Sequence, residues 1–432
     1  MNKGKSYPIS KILAEEIKDS RGNPTIKVTV WIDADSASFS VPSGASTGIH
    51  EAHELRDPAP EQARYGAGTG GKGVNKAIDK VNNVIAPVLL GQNILNQKEI
   101  DRIMIELDGT PNKDNLGGNS MVGVSIACAK LAAKVTNQEV YQYLQTLAEI
   151  KPSRKVPYLF MNLLEGGKHT KNNHLAFQEY LVVPETEDVA EAILIGVRIQ
   201  NSLKEIIEKE LGKESAVSGD EGGFAPRTDD IKKPLYFLSE AVKKNNLQNK
   251  VKLALDTAAS SFYDGSIYKV NGQNISKEDL MDVYKSLIAE FNLLSIEDPF
   301  DEEDFEDFTR LCQGFGGAGK ILVVGDDLTV SNSILLARAI KEKSIDGMII
   351  KPNQIGTLSE TLETMQLARE NNIELIISHR SGETDDDFIA DLAYAFGCFG
   401  LKSGSPSKPE RMVKYQRLIK ISDAQHDFIK SK

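Results

Sequence analysis

Five short apolar runs between Val251 and Ser381 each stop at a charged side chain. KLAL stops at Asp256, LLSI at Glu297 and Asp298, ILVVG at Asp326 and Asp327, GMII at Lys351, and ELIIS at His379 and Arg380. The leading polar residues fall 41, 29, 25 and 28 residues apart. The intervals hold amphipathic stretches such as SKEDLMDVYKSLIAEF and LSETLETMQLAREN. Short apolar strands alternating with helix-length segments predict βα units on a parallel sheet. Repeated at this pitch they predict a (β/α) barrel, which carries its chemistry at the C-terminal ends of its strands. Three acids, a lysine, a histidine and an arginine are placed there.

Upstream the pattern changes. Two strand-like runs lie around DSRGNPT between Ile9 and Ile32, and SFSVP is a third. Strands this close predict an antiparallel meander. SGASTG (43–48) reads as a flexible surface loop or, in the second reading, a site lid. The run from Asp57 to Gly73 has no periodicity and is an exposed loop. Its GAGTGGKG lacks the GK[ST] ending of a phosphate loop. Helical patterns follow over Val74–Val88, Lys98–Leu107 and Asn119–Val135, the last nearly all apolar or small and so buried. A boundary near Gln145–Lys151 divides an α+β part, residues 1–145, from a barrel part, 146–432. The barrel opens with the buried strand VPYLFMNLL and a glycine-bearing loop with His169 and His174. QEYLVVP then carries Gln178 and Glu179, and SGDEGGFAP presents Asp220 and Glu221 on a strand end or tight loop. The chain closes with a helix of mixed charge from about Glu410.

Composition narrows the class. A hydrophobic content of 40% supports a sizeable core, and a net charge of −11 argues against a general nucleic-acid binder. The three cysteines are far apart and form no C-x-x-C pair, which suits buried thiols in a reducing compartment. No run of about 18 apolar residues is present, so no membrane span is expected. A cytoplasmic protein is the expectation.

Asp256, Glu297 and Asp326 close successive strands and should converge on one rim. Three carboxylates at about 3–5 Å repel strongly unless a cation lies between them. Oxygen-only ligands favour Mg²⁺ over Zn²⁺. Lys351 is either a salt-bridge partner of these acids or a general base whose pKa is lowered by a nearby dication and by limited solvation. His379, Arg380 and Ser381 offer donors suited to a phosphate, and Lys402 adds a cation. Opposite them stands the pair Glu179 and Glu221. Such a site suits proton abstraction beside a carboxylate, followed by loss of a hydroxyl.

With these residues in place, the chain resembles the enolases over nearly its whole length. The motifs are DSRGNPT (19–25), VPSGASTGIHEA (41–52), GGKH (166–169), QE (178–179), GDEGGFAP (219–226), SIEDPF (295–300), DDLTV (326–330), KPNQIGTLSE (351–360) and SHRSGET (378–384). The resemblance implies an α/β fold, an α+β N-terminal domain followed by an enolase-type (β/α)₈ barrel whose first strands are antiparallel. It implies a lyase of glycolysis and gluconeogenesis that reversibly dehydrates 2-phospho-D-glycerate to phosphoenolpyruvate. The catalytic set so implied is Lys351 as base, Glu221 as acid, Glu179 beside it, and His379. Substrate would meet His169, Gln178, Glu179, Asp326, Lys351, Arg380, Ser381 and Lys402. Two Mg²⁺ are implied, the tighter at Asp256, Glu297 and Asp326, the second completed by Ser46. A homodimer or higher homo-oligomer is implied as well. Glu15 and Lys27 depart from the pattern, standing where the family has an Arg and a Glu near its dimer contacts. Two other readings remain: a superfamily lyase or racemase acting on a carboxylic acid without phosphate, and a noncatalytic binding protein that keeps the fold.

Overall fold

The computed structural model describes residues 6–45, 47–58, 71–169, 175–315 and 321–430, with side chains described to 424. Ser46 (expected to complete a second cation site), most of the 57–73 loop and the stretch holding His174 lie outside the described residues.

β1 (Lys11–Lys18), β2 (Pro24–Ile32) and β3 (Asp35–Ser40) form the expected antiparallel sheet. Their alternating burial follows from period-two patterning with one face on the core. Glu15 and Lys27 sit directly opposite each other across β1 and β2, a complementary pair. The helix Gly118–Val135 packs on β2 and β3 and is buried almost all round. Gly123 permits that approach, since a Cβ there would stand 2.6 Å from Val28 Cγ2. The helix predicted over 74–88 is three consecutive pieces, with a π-helical segment, Lys80–Ile85, in the middle. It carries Asn82, whose amide accepts from Ala14 N at 2.7 Å and donates to Ala14 O at 3.2 Å. This bonding occupies backbone groups on the open edge of β1.

The barrel strands are β4 (Tyr158–Glu165), β5 (Glu179–Pro184) and β6 (Val251–Asp256). A hairpin of β7 (Tyr268–Val270) and β8 (Gln273–Ile275) interrupts them. They continue as β9 (Ser295–Glu297), β10 (Leu322–Gly325), β11 (Gly347–Ile350), β12 (Glu374–Ser378) and β13 (Gly400–Lys402). They close in the order β4-β5-β6-β9-β10-β11-β12-β13. β5 runs against both neighbours, and every other pairing is parallel. The barrel interior is filled by Phe160, Leu181, Val183, Ala254, Val324, Ile349 and Ile376, so it is a packed core and not a pore.

The N-terminal elements dock on this barrel through buried polar contacts. The helix Leu358–Glu370 has its first amides capped from outside. Leu358 N donates to Ser125 Oγ at 3.0 Å and Ser359 N to Asp101 Oδ2 at 2.9 Å. Lys113 Nζ reaches Glu360 at 2.7 Å. Helix amides left without partners would be costly in a buried seam, so these bonds fix the docking. Among the described residues, no helix is long and apolar enough to cross a membrane.

Candidate active site

The strand register builds the site. Glu165 pairs with Glu179, Glu179 with Asp256, and Asp256 with Glu297, so four acids from four adjacent strands stand in one row at one rim. Glu179 reaches that row from the start of its strand because β5 is reversed. Asp326 follows β10, Lys351 follows β11, His379, Arg380 and Ser381 follow β12, and Lys402 ends β13. Glu221 enters from the 218–224 turn, whose Phe224 bridges to Leu164. His169 ends a short 3₁₀ turn, Gly167–His169, and is buried. A cavity of about 30 Å³ lies among these residues, so the site is nearly closed.

One half of the site is organised by two lysines. Lys402 Nζ lies 2.9 Å from Asp256 Oδ2, 2.9 Å from Glu297 Oε1 and 3.2 Å from Glu179 Oε2. Lys351 is paired with Asp326, and Gln354 Nε2 donates to the other Asp326 oxygen at 2.9 Å. Gln178 donates to Asp256 Oδ2 at 3.3 Å. Burial and the neighbouring Asp256 push the Glu297 carboxyl well above the usual range, with Lys402 opposing. Burial acts on Asp326 the same way, but Lys351 outweighs it and holds Asp326 low. Burial alone would lower the Lys351 ammonium. Burial is the largest single influence, yet Asp326 and the other neighbouring acids, Glu297 among them, together leave Lys351 raised, opposite to the lowering expected from the sequence. That expectation rests on limited solvation, which does act downward, and on a dication's charge; the acids pull the other way.

The other half is a cluster of acids and imidazoles. His169 Nδ1 lies 3.6 Å from Glu179 Oε1 and 3.7 Å from Glu221 Oε1. His379 Nε2 lies 3.3 Å from Glu221 Oε2. Burial and the Glu221 charge push Glu165 and Glu179 well above the carboxylate range. Glu221 is the member held low, by His379 and His169 working against burial. Burial and mutual repulsion thus favour the protonated form at Glu165 and Glu179.

Burial also pushes the His379 imidazole down from 6.5 to about 4, against the upward pull of Glu221. The folded form prefers the neutral ring. The stability this contributes is complete above pH 6.5 and is lost as pH falls towards about 4. His379→Gln should therefore lose melting temperature less steeply than the wild type across that window. Parallel slopes in the two proteins would remove His379 from the acid sensitivity.

The part of the rim that carries Arg380 and Ser381 is tied to the loop before Ser46. Arg380 makes a two-pronged pair with Glu51, at 2.9 and 3.1 Å. Ser381 Oγ accepts from Ala45 N at 2.7 Å, and Ser43 and Gly382 exchange backbone bonds at 2.8 Å. Gly44 lies so close to the guanidinium that a Cβ would stand 2.0 Å from Arg380 Nη2. A side chain there would displace Arg380.

Several residues of this site escape the sequence reading. Glu165 closes an apolar run as the other rim acids do, so the same rule could have found it. Asn162 and Arg411 carry no local signal. Asn162 Nδ2 donates to Glu221 Oε2 at 3.1 Å, and fully buried Arg411 arrives from a helix 32 residues downstream of His379. Asp298 accepts from Asp326 N at 2.9 Å and Asp327 N at 2.7 Å, which joins the ends of β9 and β10.

Asp256, Glu297 and Asp326 are buried carboxylates on neighbouring strands and offer the oxygen donors a divalent cation prefers. Lys402 Nζ, however, bridges Asp256 and Glu297, and of the three Asp326 alone belongs to an acid group at metal-holding spacing. Asp298, Asp326 and Asp327 bring one oxygen each within 4.8 Å of one another, a spacing that could hold a metal.

Comparison with known proteins gives one family. Residues 9–144 match the family model described as "Enolase, N-terminal domain", and residues 153–430 the one described as "Enolase, C-terminal TIM barrel domain". The chain is 44% identical over 417 residues to the enolase of Methanocaldococcus jannaschii, covering 96% of this chain and 95% of that one. It is 43% identical to the enolase of Methanopyrus kandleri, with coverage of 96% and 95%. To enolase B of Dictyostelium discoideum it is also 43% identical, with coverage of 96% and 94%.

Proposed function

This chain belongs to the enolase family, and on that premise we propose that it catalyses the reversible dehydration of 2-phospho-D-glycerate to phosphoenolpyruvate. The observation that carries the reading is the gathering of base and acids on one rim. Lys351 pairs with Asp326, Lys402 joins Asp256, Glu297 and Glu179, and Glu221 meets His169 and His379 beside Glu179. An elimination that removes a proton at one carbon and hydroxide at the next needs a base and an acid on opposite sides of one small molecule.

In this reading Lys351 Nζ takes the C2 proton as the neutral amine, which requires its ammonium first to give up a proton to solvent; a dication held at Asp326 would favour that neutral form. Asp326 beside it orients the amine and stabilises the ammonium that forms. Glu221 passes to the departing C3 hydroxyl a proton that it draws from Glu179, whose carboxyl is raised by burial and by the Glu221 charge. Arg380 and Ser381 hold the phosphate, which requires Arg380 to exchange its Glu51 partner for substrate. His169, Gln178 and Lys402 line the remainder. Asp256, Glu297 and Asp326 would hold a Mg²⁺, and Ser46 would complete the site of a second. When bound, the cations would neutralise the substrate phosphate and the negative charge that builds on the carboxylate as the C2 proton leaves. The cavity is small and its lining buried, which strengthens each of these interactions relative to bulk water. The protein acts in the cytoplasm as a homo-oligomer in this reading.

The test is turnover. Purified protein with 2-phosphoglycerate and Mg²⁺ should generate the conjugated enol phosphate, read as growing ultraviolet absorbance. Folded protein that produces none would reject the proposal.

A further inference from the structure

We propose that Arg411 fixes His379 as the Nε2–H tautomer and, together with Asn162, confines any proton on Glu221 to its Oε1 oxygen. The inference rests on the assignment of Glu221 as the acid and adds which of its oxygens delivers.

It follows from what each group can donate. A guanidinium has N–H donors and no acceptor. Arg411 Nη1 is hydrogen-bonded to His379 Nδ1, so Nδ1 must be the accepting, unprotonated nitrogen. The proton of the neutral ring then sits on Nε2, which faces Glu221 Oε2 at 3.3 Å. Glu221 Oε2 also accepts from Asn162 Nδ2 at 3.1 Å. Two N–H groups aimed at Oε2 leave a carboxyl proton there facing other hydrogens. Oε1 has no such donor from this pair and faces His169 Nδ1 and the Glu179 side instead. A proton taken up by Glu221 therefore resides on Oε1.

Arg411 is held well enough to act this way. It is fully buried, and the same guanidinium donates to Arg380 O at 2.6 Å and Ser381 O at 2.8 Å. Those bonds anchor it to the backbone just beyond His379, so ring and guanidinium keep one geometry. Arg411 touches no reacting atom in this arrangement and is a positioning residue.

The experiment is nitrogen NMR on protein labelled with ¹⁵N-histidine. Only six histidines are present, and His379→Asn identifies the signals of His379. At neutral pH the wild type should show an unprotonated Nδ1 and a protonated Nε2 at this ring. A protonated Nδ1 overturns the proposal without any Arg411 variant. Arg411→Met should give a mixture of tautomers and a fall in kcat of roughly 10²-fold. Arg411→Lys, which still donates, should restore the single tautomer and recover most of kcat. The phosphate-side carbonyls loosen in both variants, so KM rises in both and does not discriminate. A single Nε2–H tautomer in Arg411→Met would show that Arg411 does not set it. If Arg411→Met fails to fold, the wild-type spectrum and Arg411→Lys decide. A wild type with the expected tautomer and no turnover of 2-phosphoglycerate would reject the proposed function and leave the tautomer standing.

Discussion

Replacing Lys351 with alanine is expected to lower turnover of 2-phosphoglycerate by at least roughly 10²–10⁴-fold, the usual contribution of a positioned general base. The protein should still fold. Lys351 stands at the start of the short helix Pro352–Ile355, and its backbone N donates to Ser331 Oγ at 2.8 Å whatever the side chain. Its ammonium pairs with Asp326 only at the rim. A second readout separates the base from a mere counter-ion. The wild type should exchange the C2 hydrogen of 2-phosphoglycerate with solvent deuterium, and Lys351→Ala should not. Undiminished exchange in the variant would take the role of base away from Lys351.

Stripping divalent cations with a chelator should stop turnover, and added Mg²⁺ should restore it. Asp326→Ala should raise the Mg²⁺ concentration needed for half-maximal activity by more than roughly 10²-fold, beyond the effect of losing a group that only supports a ligand. Asp326 would meet the cation with one oxygen while Lys351 and Gln354 hold it in place. Mg²⁺ binding followed by calorimetry on the protein without substrate gives the same comparison independently of catalysis. Full activity in the chelated protein, or unchanged Mg²⁺ affinity in Asp326→Ala, would remove Asp326 from the cation site.

The chain shows some of this arrangement openly. The five runs that end at Asp256, Glu297, Asp326, Lys351 and His379 are strands β6, β9, β10, β11 and β12, because a buried parallel strand must be apolar until it reaches the rim. The reversal of β5 has no signature in alternation or pitch. A short apolar strand reads the same in either direction, so the resemblance alone implied it. Long-range chemistry is also hidden. Arg411 lies in a helical segment whose periodicity says nothing of a contact with His379. The direction of the Lys351 shift depends on how closely Asp326 approaches, and the sequence contains no distances. Glu165 marks a different kind of miss. The rule that found the other rim acids applies to it, but the glycine-rich loop that follows draws attention to His169.

Lys402 has a consequence for how the protein reaches its working form. Carboxylates from three strands share this one ammonium, which comes from the last strand to join the barrel. An internal counter-charge covers much of the several kcal/mol that unpaired acids would cost in a dry interior. The rim can therefore assemble during synthesis without waiting for an ion from solution, and loading becomes a later, reversible event. Fluctuating metal supply would then change the active fraction more than the folded fraction.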